Sequence, residues 1–164
     1  MPEKKTIEKA RKDKSEGKSA STQAGEFVHQ EIEHVKEGKH GARSTKQAIA
    51  IGLSEARRAG VKVGAPKNAS KATRTKAEHD SAAGAKGAKK TVSRTRSKAT
   101  SDALKKEGHS AASTEALSKQ AKSAAAKRTA ADRSASARKA AKTKGPEERS
   151  AAARKAARTR EKST

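Results

Sequence analysis

Lys and Arg make up 41 of the 164 side chains and Asp and Glu only 18, a formal charge of +23. Ammonium and guanidinium groups at this density displace condensed counterions from a phosphate backbone and bind it without reading its sequence. The chemistry on offer is therefore neutralisation of a polyanion. Basic groups are densest toward the C-terminal side: residues 1–63 hold 14 basic and 9 acidic side chains, and residues 64–164 hold 27 and 9. The strongest candidates for phosphate contact are Lys122, Lys127, Arg128, Arg138, Lys139, Lys142, Lys144, Arg154, Lys155, Arg158 and Arg160. Upstream, Lys46, Arg57 and Arg58 are further candidates. Phe27 is the sole aromatic residue. The chain thus lacks the stacking platforms that single-strand and RRM-type binders use, which favours a duplex backbone.

Other chemistry is sparse. His29 and Glu33 share a helix face at i, i+4, with His34 and His40 close by in sequence. His29 and His34 are five residues apart, so on a helix their imidazoles diverge by about 140°, unlike the H-E-x-x-H pair of a zinc peptidase. No metal site is expected from that spacing. With no Cys, the chain lacks thiolate ligands, Cys nucleophiles and disulfides. No Gly-rich phosphate loop follows a strand and no carboxylate pair sits in an apolar run, so the expectation is a non-enzyme without cofactor or small-molecule substrate.

These groups need elements to hold them, and apolar material is scarce. Leu, Ile, Val and Phe total 13, well below the roughly 20% under which a highly charged chain is expected to be disordered. Ala contributes 36 residues and is expected to favour helix without building core. Most of the larger apolar residues lie between Thr22 and Val63. Phe27, Val28, Ile32 and Val35 follow helical spacing, with Ser21 or Thr22 as N-cap and Gly38 as stop. Ser44-Thr45-Lys46-Gln47 reads as a capping box, and Gly60 ends that second helix. Helices over about 22–37 and 45–59, joined by GKHGAR, predict an antiparallel hairpin in which Phe27, Ile32 and Val35 meet Ile49, Leu53 and Ala56. Gly52 on the second helix permits close approach of the first.

The expected fold class is mostly α with extensive disorder: a small helical hairpin followed by a long basic Ala/Lys-rich tail of short helices. Residues 1–20 form a polar N-terminal segment whose helix, over 5–16 and capped by Thr6, has only Ile7 as anchor and is weakly attached or absent. Residues 21–63 form the hairpin module, 64–100 a flexible basic linker, and 101–164 the tail. A 16-residue repeat runs from Ser118 through Ser134 and Ser150. An unbroken helix would rotate successive basic clusters by about 160°. The Gly145-Pro146 break, followed by Glu147 and Glu148, ends one helix and starts the next.

The string RSTKQAIAIGLSEARRAG, from Arg43 to Gly60, resembles the core of small basic bacterial proteins grouped as domains of unknown function. The likeness extends over about residues 20–63 and implies no activity. The tail separately resembles the Ala/Lys-rich C-terminal tails of linker histones and bacterial histone-like proteins, although Pro146 does not sit in an S-P-K-K element. Together the readings predict sequence-independent nucleic-acid binding, DNA before RNA, in the cytoplasm at the bacterial nucleoid. The hairpin would self-associate or dock a protein. No membrane partner is expected. The alternatives are a disordered stress-protectant hydrophilin and an RNA- or ribosome-associated basic protein.

Overall fold

The computed structural model describes residues 2–66, 68–85, 93–143 and 145–161. These form α-helices and one short 3-10 turn, with no strand among the described residues. Two units are delimited, residues 1–120 and 121–164. The first contains α1 (Lys4–Ser15), α2 (Ala20–Lys36), α3 (Thr45–Arg58), α4 (Lys71–Ala85), α5 (Arg94–Lys105), the 3-10 turn Ser110–Ala112 and the start of α6 (Thr114–Ala126). The second contains the rest of α6, α7 (Ala130–Thr143) and α8 (Pro146–Glu161).

The first three helices end alike. Gly17, Gly38 and Gly60 have φ of 70°, 74° and 91°, the left-handed conformation that glycine adopts without steric cost. The residue after each glycine donates its N–H to a carbonyl five positions back: Lys18 to Asp13, Lys39 to His34, Val61 to Ala56. These are Schellman caps, and Val61 places an apolar side chain against Ala56 as that motif favours. At the start of α2, Ser19 is the cap, accepting from Thr22 N–H. The helix therefore begins before the expected Ser21 or Thr22. Ser44 caps α3 through Gln47 N–H, while Gln47 Oε1 reaches one residue beyond the cap and accepts from Arg43 N–H at 2.9 Å.

Helices α2 and α3 form the expected antiparallel pair. A Cβ on Gly52 would lie 2.7 Å from Val28 Cα and 3.0 Å from Phe27 O, so the absent side chain sets the crossing distance. Two apolar clusters lie on either side of the crossing. Phe27 packs with Ala10, Ala24, Ala56 and Val61, against Ile7 and Leu53. Val35 packs with Ala42, Ala48, Ala111 and Ala112, against Ile32. The inward residue of α3 in the second cluster is thus Ala48, one position before the expected Ile49.

Alanine builds this core, contrary to the sequence expectation: eight of the eleven buried hydrophobic residues among those described are Ala. Methyl groups give little apolar area each, but they let backbones close to contact and supply dispersion along the whole approach. The N-terminal helix also differs from expectation, because α1 is docked. Ala10 is buried against Phe27, Glu3 N–H donates to Gln30 Oε1, and buried Asp13 accepts from Lys18 Nζ at 2.7 Å. That hydrogen bond, together with Glu16, pushes the Lys18 ammonium above its usual range. Its N-cap is Glu3 and makes no side-chain cap; Thr6 lies buried within the helix.

Two further pieces dock where a linker and a disordered tail were expected. Helix α4 lies against α3 so closely that a Cβ on Gly84 would overlap Arg57 O. Its Asp80, 0% exposed, accepts from Ser54 Oγ (2.7 Å), Lys76 Nζ (2.8 Å) and Arg58 Nε (2.9 Å). Burial alone would raise the Asp80 carboxyl, but these three hydrogen bonds outweigh it and hold it below the ordinary carboxylate range. The segment before α6 closes the other end. Gly41 N–H donates to Leu104 O, Ala42 N–H to Gly108 O, and Thr45 Oγ1 to Ala111 O. A Cβ on Gly41 would overlap Glu107 O.

Candidate nucleic-acid interface

The 16-residue repeat is a repeat of helices. Helices α6, α7 and α8 start at Thr114, Ala130 and Pro146, one period apart. Each start carries its own device. Ser113 Oγ accepts from Ala116 N–H; Thr129 and Asp132 bond reciprocally to each other's N–H; Pro146 opens α8 at the position where its missing N–H costs nothing. Acidic residues fall in the first turns, Glu115, Asp132, and Glu147 with Glu148. Basic residues occupy the last turns of α7 (Lys142) and α8 (Arg158 and Arg160), though not of α6. Both placements complement the helix dipole.

Restarting the helix resets the face. Lys122, Arg138 and Arg154 each lie eight residues past their helix start and so take the same angular position on α6, α7 and α8. Arg138, Lys139 and Lys142 then repeat as Arg154, Lys155 and Arg158, all exposed, with Arg160 exposed near the end of α8. Every other described side chain from 122 to 161 except Ala141 is exposed as well, so these helices present charge to solvent and bury no apolar face. Lys127 and Arg128 sit in the α6–α7 turn. Arg128 folds back onto the start of α7, contacting Ser136 Oγ and Asp132 O. Lys144 lies outside the described residues.

The hairpin candidates divide. Lys46 is exposed in the first turn of α3. Arg57 is 7% exposed and donates to Val63 O at 2.9 Å and to Gly64 O at 3.2 Å, which pins the chain leaving α3. Arg58 is half exposed but committed to Asp80. Neither arginine extends free toward a partner; both act as braces.

A second polar group was not legible from the His29–Glu33 pairing. Glu31, His34 and His40 bring ligand-type atoms within 4.8 Å of one another. Burial pushes the Glu31 carboxyl up, although His40 beside it acts in the opposite sense. The sequence signal for it is Glu31-x-x-His34, a one-turn spacing, together with a His in the loop that follows.

No helix among the described residues is long and apolar enough to cross a membrane. No curated protein and no solved structure matches the chain. Residues 11–68, from within α1 to just beyond the segment pinned by Arg57, match a family model described as a family of unknown function (DUF6496).

Proposed function

We propose that the protein binds nucleic acid through the phosphate backbone, without sequence preference and without catalysis, and that duplex DNA is the favoured form. The observation that carries this reading is the repeated cationic cluster on α7 and α8, set at one helical position by a 16-residue restart. Residues 121–164 hold 14 basic and 4 acidic side chains. A protein-only role leaves that imbalance without a counter-charge. The absence of Trp and Tyr, with Phe27 buried, favours duplex over stacked single strands. Residues 1–120 then serve as a folded body that carries the cationic helices, and a nucleoid location follows from the same ligand.

Fluorescence anisotropy of the full chain with two duplexes of unrelated sequence tests this. If about 6 to 10 phosphates are contacted, affinity falls by about 10³ to 10⁵ between about 50 and 200 mM salt, equally for both duplexes. Salt-independent binding, or a strong preference for one duplex, contradicts the reading.

A further inference from the structure

Glu31 is a buried side chain whose hydrogen-bonding capacity is not met among the described residues. It lies on α2 at 2% exposure, and its Oε1 has no hydrogen-bond partner among the described residues. A buried carboxylate oxygen left in this way costs stability that the remaining interactions must offset. Its other oxygen faces His40 Nε2 at 3.5 Å.

The His40 tautomer sharpens the problem. Nδ1 lies 3.2 Å from Gly41 O. A carbonyl only accepts, so Nδ1 carries the hydrogen, and in the neutral ring Nε2 presents a lone pair to the Glu31 carboxylate. Two acceptors then face each other, and a proton or a metal ion between them relieves the repulsion. A backbone carbonyl on the second nitrogen is also the contact that orients metal-binding imidazoles. His34, one turn after Glu31, brings its ring edge-on to His40 with centroids 6.1 Å apart. Its Nε2 is in turn held 3.2 Å from Glu3 Oε1.

We propose that Glu31, His34 and His40 form a binding site for a divalent transition-metal ion of the zinc class, with one ligand atom from each and solvent completing the shell. Imidazole nitrogen and carboxylate oxygen suit this class. Bonds of about 2.0–2.2 Å place tetrahedral ligands about 3.3 Å apart. Glu31 and His40 are already near that separation, and side-chain rotation brings the third donor in from its present distance of at most 4.8 Å. The ion would tie the end of α2 to the 38–43 loop. That loop holds the 104–111 segment through Gly41 and Ala42, so occupancy would stabilise the junction between distant parts of the chain.

The test uses the untagged full chain, stripped with chelator, titrated with Zn²⁺ by equilibrium dialysis and with Co²⁺ by visible absorption. The expected result is one ion per chain, with affinity at least about tenfold weaker in Glu31→Gln and in His40→Ala and unchanged in His79→Ala, a substitution on α4. Co²⁺ should give d–d bands that disappear in the same two variants. Glu31→Gln keeps the side-chain shape and removes the buried charge, so its fold survives; zinc should raise the melting temperature of the parent and not of this variant. Absence of saturable binding overturns the site, as does equal binding by parent and variants. A zinc-independent melting temperature, with NMR showing His40 protonated at neutral pH, would overturn it in favour of a simple imidazolium–carboxylate pair.

Discussion

Asp80 shows how far a single side chain changes the reading of this chain. It sits in an Ala-rich, charged run with no apolar periodicity, where the sequence indicates only a solvated linker. In the structure it is fully buried and gathers Ser54, Arg58 and Lys76 from two helices. Lys76 at i, i+4 is the one local signal, while the pairings with Ser54 and Arg58 span 26 and 22 residues of chain and leave no local pattern. Because its folded pKa lies below the ordinary value near 4, Asp80 adds stability above that value and loses it as pH falls through the lower, folded one. Asp80→Asn should therefore cost about 1–3 kcal/mol at neutral pH in a urea melt followed by circular dichroism. The difference from the parent should narrow as pH is lowered below about 4. A pH-independent gap would mean that packing at this position, and not the charge, holds α4.

At the scale of elements, local signals were readable wherever a backbone conformation demands a residue type. Gly38 and Gly60 mark real helix ends, the Ser44–Gln47 cap is present with the N–H donor to Gln47 shifted to Arg43, and Gly145-Pro146 separates α7 from α8. Docking was not readable, because its apolar part is made by alanines, which look alike in a buried helix and in a solvated one, and its polar part by residues distant in sequence. Two glycines separate these cases. Gly52→Ala gains about 1 kcal/mol in helix propensity, but its Cβ meets the backbone of Val28, and forcing the pair apart costs about 1–3 kcal/mol. The net change should be destabilising. Gly25→Ala on exposed α2 surface meets nothing within 4 Å and should stabilise by up to about 1 kcal/mol. Thermal melts of the two variants moving in the same direction would contradict the close α2–α3 crossing.

For the molecule as a whole, the helix pair within 21–63 is part of a larger compact body. Residues 1–120 form one compact unit in which α1, α4 and the 104–112 segment cover the hairpin on several sides. A chain ending at Val63 lacks Asp80, Ala111 and Ala112 and should melt well below a chain ending at Gln120, which keeps them all. Equal melting temperatures would restore the isolated hairpin. The shorter core residues of such a unit explain why counting Leu, Ile, Val and Phe underestimates it. Residues 121–164 hold no Leu, Ile, Val or Phe, and only charge and helix restarts recur there. In the proposed function those restarts aim charge at phosphates. Its most direct test is the slope of log affinity against log salt for duplex DNA, measured for the full chain and for the same chain with Arg138, Lys139, Lys142, Arg154, Lys155 and Arg158 changed to Gln. The slope should lose about 5 of its units, near 0.9 for each phosphate contact removed. An unchanged slope, or an equal loss from Lys46→Gln alone, would contradict it.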